Sequence, residues 1–246
     1  MKERYGKQGA RLIQGETIAT LRQLIDDGEQ FDALLTDPPY SSGGLHIGAK
    51  SIATTTKYQQ TQSRKRHTDF GGDSRDQLSF VTWCACWLNQ CRQLLVPGAP
   101  VMMFCDWRQL GAAISALQAG GFTFRGVVAW DKKGGRPAAG RFRQQTEFVV
   151  WGSNGKMPKR DVYLPGVFAH ATPPGKKRRH MTQKPVALLR DLLGIVPEGG
   201  RVLDPFAGSG STLQACREME LLGTAIEEHE GIASDAVDWL IETESE

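Results

Sequence analysis

Residues 31–40 read Phe31-Asp32-Ala33-Leu34-Leu35-Thr36-Asp37-Pro38-Pro39-Tyr40, a short apolar strand that ends in an acid, two prolines and an aromatic ring. Pro38 and Pro39 have fixed φ and no N–H, and a proline disfavours helix in the residue before it. The chain therefore leaves the strand extended, with the Pro38 carbonyl free as an acceptor beside the Asp37 carboxylate. Two acceptors can face the two N–H bonds of one exocyclic amino group while the Tyr40 ring stacks on the heterocycle that carries it, which makes a site for a base turned out of its helix. A strand followed by a plain Pro-rich turn is the simpler reading. At ~5% usage per residue type, however, the tetrapeptide should arise by chance in roughly one chain in a thousand of this length.

Around this stretch, strand and helix patterns alternate. Residues 10–14 read as a short strand, and residues 17–25 as a helix with Ile18, Leu21, Leu24 and Ile25 on one face. Glu16 sits at the turn between them. Residues 78–96 carry a helical stripe through Leu78, Val81, Ala85, Leu88 and Leu95, stopped by Pro97-Gly98. A buried strand over 101–105, a helix over 108–119 ended by Gly120-Gly121, and strands over 122–130 and 146–151 follow. Trp83, Trp87, Trp107, Trp130 and Trp151 read as core or rim packing. Pro185 suits the first turn of a helix running to Val196.

A second informative stretch lies far downstream, Val202-Leu203-Asp204-Pro205-Phe206-Ala207-Gly208-Ser209-Gly210-Ser211-Thr212. It reads as a strand over 201–203, a glycine turn and a helix over 212–222. The glycines let backbone approach a ligand, and the helix N-terminus offers unpaired N–H groups to a carboxylate. No Lys completes a phosphate-binding loop and no third Gly completes a dinucleotide fingerprint, so ATP and NAD fit poorly. After the next strand, over 223–226, Glu227 can accept from both hydroxyls of a ribose, with Glu228 as its neighbour and competitor. A helix over 232–241 closes the pattern, and the whole implies a mostly parallel sheet covered on both faces.

Asp37-Pro38-Pro39-Tyr40 resembles the catalytic motif of S-adenosylmethionine-dependent DNA amino-methyltransferases, and its leading Asp is closer to the N6-adenine than to the N4-cytosine enzymes. The stretch from Val202 to Thr212 resembles the cofactor motif of that family, and catalytic motif first with cofactor motif last is the order of its β group. The resemblance implies a permuted Rossmann-like, doubly wound α/β sheet in one catalytic domain over residues 1–246. It assigns methyl transfer to Asp37, Pro38, Pro39 and Tyr40. It assigns S-adenosyl-L-methionine to Asp204, Phe206, Gly208, Gly210, Ser211, Thr212 and Glu227, with Glu16 near the adenosine or serving as an ordinary turn carboxylate. His180-Met181-Thr182-Gln183-Lys184-Pro185 is similar to a family segment that closes over the methionine end of the cofactor, carried here by Thr182 and Lys184; a generic helix start is the alternative. The sulfonium donor has a neutral leaving group, so the chemistry requires no metal. An N4-cytosine enzyme is the near alternative. A catalytically inactive nucleic-acid-binding homologue would be expected to have lost the acid, an acceptor or the glycines, all of which are present.

Composition describes an ordinary globule: 246 residues, 40% hydrophobic, 23% charged, net charge +3. No apolar run approaches the ~20 residues of a membrane span, and the polar N-terminal stretch does not read as a signal peptide, which implies a cytoplasmic protein. Five cysteines without a C-x-x-C pair argue against a disulfide framework or a zinc site. Cys84, Cys86 and Cys91 read as small core hydrophobes. The net charge alone does not demand a nucleic-acid partner; its distribution is more telling. Residues 41–77 form a long polar insertion bearing Lys57, Arg64, Lys65 and Arg66, read as a mobile element over base and DNA backbone or as simple disorder. A Gly- and Arg-rich loop over 131–145 carries Arg141 and Arg143. Residues 152–179, ending in Lys176, Lys177, Arg178 and Arg179, read as a small target-recognition region or a solvated charged loop. DNA is the expected partner. A homodimer, frequent in the β group, and a cognate restriction nuclease are further partners that such enzymes can have.

Overall fold

Ala33, Leu34, Leu35 and Thr36 are all buried, and alternate side chains feed different cores: Leu34 packs into one hydrophobic cluster, Ala33 and Leu35 into another. That is the signature of a strand covered on both faces. The computed structural model describes residues 1–7, 9–40, 75–134, 139–172 and 183–244. In chain order these form β1 (Lys2–Lys7), β2 (Ala10–Gln14), α1 (Thr17–Asp26), β3 (Ala33–Thr36), α2 (Gln77–Leu94), β4 (Pro100–Cys105), α3 (Leu110–Ala119), β5 (Thr123–Asp131), β6 (Thr146–Ser153), β7 (Val167–Ala169), α4 (Val186–Leu193), β8 (Arg201–Asp204), α5 (Ser211–Glu218), β9 (Leu222–Glu227) and α6 (Glu230–Glu242).

The strands make one sheet in the order β1-β2-β9-β8-β3-β4-β6-β5-β7. Only β1 and β6 run against the rest. β3 lies between β8 and β4, with Leu34 opposite Leu203 on one side and Val101 on the other. Two strands distant in sequence are thus neighbours at the centre, as a permuted doubly wound sheet requires. One face is covered by α1, α2 and α3, through Leu21, Leu24, Trp87, Leu88 and Leu117 against Leu34, Val101, Met103 and Leu203. On the other, α4 and α5 bring Leu188, Leu192, Ala215 and Cys216 against Ala33, Leu35, Met102 and Phe104. α6 closes the far end over Leu12 and Ala225.

Several expectations need correction. The strand beginning at Phe31 is shorter: Phe31 makes only an isolated bridge to Leu95, and β3 starts at Ala33. The stripe of α2 is rotated, because Leu78 is 83% exposed while Phe80, Cys84, Trp87, Leu88, Cys91 and Leu94 are buried. Two aromatic rings outweigh one leucine in choosing the buried face, since each buries more apolar surface. Cys86 is exposed on the opposite side; Cys84 and Cys91 are buried. The helix expected over 212–222 stops at Glu218, and Glu220 turns the chain at φ 55° so that Leu222 can open β9. The segment 152–179, read as a recognition region or a solvated loop, adds strand where described: Gly152 and Ser153 complete β6, and β7 pairs in parallel with β5. β1, a polar edge strand with Tyr5 as its one buried side chain, was not anticipated.

Candidate active site

The C-terminal ends of the parallel strands, and the N-terminal end of antiparallel β6, meet along one edge of the sheet. A cleft of about 920 Å3 runs there, at the large end of the ~300–1,000 Å3 usual for small-molecule sites. Its walls include Glu16, Asp37, Pro38, Pro39, Tyr40, Lys184, Asp204, Phe206, Gly208, Ser211, Thr212 and Glu227. Gly210 lies just behind this lining as the N-cap of α5. Arg141 and Arg143 stand exposed on the loop before β6. Lys57, Arg64, Lys65, Arg66, Lys176, Lys177, Arg178, Arg179 and Thr182 lie outside the described residues.

At the β8–β9 end two buried acids face the cleft. Asp204 Oδ1 accepts from Thr36 Oγ1 at 2.8 Å and from the Phe206 N–H at 3.0 Å. Glu227 accepts from the N–H groups of Gly208 and His229 at 3.0 and 2.9 Å. Burial pushes Asp204 up to about 6 and Glu227 up to about 7, against the pull of these hydrogen bonds. No cation pairs with either among the described residues. Gly208 holds φ 49°, and a Cβ there would meet only open space; the bend after β8 thus leaves a bare stretch of backbone. The first turn of α5 has no side-chain cap, so its N–H groups keep their hydrogen-bonding capacity. Phe206 packs against Trp83 and Trp87 at centroid distances of 5.4 and 5.1 Å and forms an aromatic wall. Glu16 caps α1 through Ile18 N and Ala19 N while facing the same cleft, so a cap function is combined with its position near the ligand space.

At the β3 end, Asp37 keeps 24% of its side chain accessible. Its Oδ2 accepts from Lys184 Nζ at 2.6 Å and its Oδ1 from the Tyr40 hydroxyl. Lys184, 8% exposed, also donates to Tyr40 Oη at 3.0 Å and lies 3.5 Å from Glu147 Oε2. Lys184, which the resemblance assigns to the cofactor, stands with its ammonium against the acid of the first motif. Burial raises Asp37, with Lys184 and Tyr40 pulling against it. Burial would lower Lys184, but Asp37 and Glu147 raise it and keep it charged. Glu147, at the start of β6, is likewise pushed up by burial and held below the usual range by Lys184 and Lys132. Glu147 and Lys132, paired at 3.1 Å, were missed in the sequence. The signal for Glu147 was a single acid at the head of an otherwise apolar strand.

A family model described as DNA methylase, of the N6/N4 methyltransferase type, matches residues 31–238. The chain belongs to the DNA methylase family. Type II methyltransferase M2.LlaDCHI of Lactococcus lactis subsp. cremoris is 24% identical to this methylase over 234 residues, covering 86% of this chain and 81% of that protein. Among solved structures, the M1.HpyAVI–SAM complex superposes with TM-score 0.67 at 22% identity over 94% of this chain and 98% of that one. A PvuII DNA methyltransferase, titled cytosine-N4-specific, superposes with TM-score 0.65 at 14% identity over 93% and 85%. The methylase therefore has the class I methyltransferase fold, in the permuted order expected. It is an S-adenosylmethionine-dependent DNA methyltransferase. No helix among its described residues is long and apolar enough to cross a membrane.

Proposed function

We propose that this methylase transfers the methyl group of S-adenosylmethionine to the N6 amino group of an adenine turned out of DNA. The observation that carries this reading is a cleft holding two distinct acceptor sets side by side. One is Asp37 at the head of Pro38-Pro39, and the other is Asp204 with Glu227, which accepts from the Gly208 N–H. The second set fits the cofactor. Glu227 has the lone pairs to accept ribose hydroxyls, Asp204 suits an α-ammonium, and the uncapped turn of α5 suits a carboxylate. Two buried acids with no cation beside them among the described residues can still accept from donors, which supports this cofactor.

When bound, S-adenosylmethionine supplies an electrophilic methyl on a sulfonium whose leaving group is neutral. Adenine N6 is a poor nucleophile because its lone pair is delocalised into the ring. Asp37 and the Pro38 carbonyl, accepting its two N–H bonds, draw the nitrogen toward tetrahedral geometry and stabilise the positive charge that develops on it. Tyr40 offers its ring to the face of the base. The proton then leaves to Asp37 or to water. An Asp at the head of the motif favours adenine. Likeness to a cytosine-N4-specific enzyme keeps cytosine as the second reading, since both bases present the same amino geometry. Lys57, Arg64, Lys65, Arg66, Arg141, Arg143 and the basic run 176–179 are read as phosphate contacts, with residues 152–179 as the recognition region. The reading extends to one catalytic domain acting in the cytoplasm, with a homodimer and a cognate restriction nuclease as its candidate partners.

Nucleoside analysis of DNA from cells expressing the protein should reveal N6-methyladenine. N4-methylcytosine in its place would transfer the mechanism to the other base. Asp37→Ala should abolish methylation while calorimetry still detects cofactor binding. Substantial turnover by that variant would overturn the assignment of Asp37.

A further inference from the structure

The ammonium of Lys184 is engaged by Asp37 and Tyr40, at 2.6 and 3.0 Å. We propose that Lys184 is a positioning residue for methyl transfer, shared between Asp37 and Glu147, which keeps Asp37 an ionised, correctly aimed acceptor for the amino group. This rests on the reading of Asp37 given above.

Asp37 meets charge or dipole from every element packed around it. Tyr40 faces it from its own segment and Lys184 from the residues before α4. Glu147 acts on it from β6, and Cys105 at the end of β4 and Asp204 at the end of β8 are electrostatically coupled to it. Among the described residues Lys184 is the one cation in that set. Asp37 otherwise faces two carboxylates, burial, and groups that add negative charge when ionised. Burial and the two carboxylates favour its protonated form against the single hydrogen bond from Tyr40, and that form would present a hydroxyl to the base where an acceptor is needed. Removing the lysine therefore removes the acceptor without touching the carboxyl group itself.

The second carboxylate explains how the pair can open. In the base-free site both oxygens of Asp37 are taken, one by Lys184 and one by the Tyr40 hydroxyl. An arriving amino group needs one of them. Glu147 Oε2 is buried with no hydrogen-bond partner and lies only 3.5 Å from Lys184 Nζ. A buried acceptor left unmade is costly unless something uses it. It is a second seat into which the ammonium can shift by a small rotation of its flexible stem, releasing Asp37 while staying close enough to hold its charge.

The test is the pH profile of kcat, at saturating cofactor, on whichever base the wild-type enzyme methylates. Lys184→Met should cut kcat at pH 7 by about tenfold or more, with kcat climbing nearly tenfold per pH unit as Asp37 ionises. Its S-adenosylmethionine affinity should stay within about twofold, since one lost hydrogen bond of ordinary strength would exceed that. Glu147→Gln should move the acid limb the opposite way, to lower pH, because a like charge is gone and Lys184 pairs with Asp37 alone. It also serves if Lys184→Met fails to fold. An unshifted acid limb in Glu147→Gln, or a Lys184→Met enzyme that loses cofactor affinity with kcat and its pH profile intact, would overturn the proposal. If Asp37→Ala is active, the reading of Asp37 fails. If Asp37→Ala is inactive while the limbs do not move, only the role of Lys184 fails.

Discussion

Replacing Glu227 by Gln should flatten the pH dependence of stability of the cofactor-free enzyme. Glu227 is 8% exposed, and burial pushes its carboxyl from the ordinary 4.5 up to about 7 despite two backbone N–H donors. The folded state thus holds this proton more tightly than the unfolded chain. The associated stability is fully present below pH 4.5, is lost as pH rises through the interval to 7, and is absent above it. At about 1.4 kcal/mol per pKa unit the loss across that window is about 3 kcal/mol, a large share of the ~5–15 kcal/mol that holds a domain together. Glutamine keeps the volume and an acceptor oxygen but has no proton to lose. Asp204, pushed to about 6, slopes the same way in both proteins, so that only its coupling to Glu227 enters the difference. Urea denaturation at pH 5, 6, 7 and 8 should therefore show the wild-type midpoint falling more steeply than that of Glu227→Gln. Parallel curves would refute the idea that this acid is buried at a cost. Cofactor binding should run in the opposite sense: if the anion is the ribose acceptor, wild-type affinity should rise about tenfold between pH 6 and 8.

Gly208→Ala should lose about 1–2 kcal/mol of stability from its left-handed backbone. Because the new Cβ points into open space, cofactor affinity should fall by far more than that strain alone accounts for; calorimetry beside thermal melts separates the two. Neutralising Lys176, Lys177, Arg178 and Arg179 together should weaken DNA binding at all sequences alike and reduce the slope of log affinity against log salt by up to ~0.9 for each phosphate left without its cation. An unchanged slope in a fluorescence anisotropy titration would assign DNA binding to other residues.

Much of this fold was legible because its central strands are uninterrupted apolar runs closed by a turn. Leu34-Leu35-Thr36 before the prolines and Val101 to Cys105 before Asp106 leave little choice of structure. What escaped were elements whose reason to exist lies elsewhere in the chain. β1 has one buried side chain, Tyr5, and forms because β2 offers it an open edge. β7 is three residues long and exists as the partner of β5. In α2 the stripe through Leu78 is misplaced because the contacts of Trp83 and Trp87 with Phe206, and of Phe80 with Trp83, are a tertiary fact. The motif residues at both ends of the cleft were readable, but the ion network of Lys184, Glu147 and Lys132 was not. Three charged residues on three segments say nothing about one another until the sheet brings them together.

The pairing of β3 with β8 also sets a schedule. Thr36 and Asp204, joined by a 2.8 Å hydrogen bond, stand 168 positions apart. At the ~5–20 residues per second of ribosomal synthesis, on the order of ten to thirty seconds pass between them. During that time β3 has an apolar edge with no partner on the β8 side, and for most of it, until Lys184 is made, Asp37 has no lysine. A nascent chain halted before Lys184 has the first motif complete in sequence but neither that cation nor the β8 neighbour. The chain order thus completes the cleft only when β8 and β9 are made, and the exposed edge of β3 must wait for its partner until then.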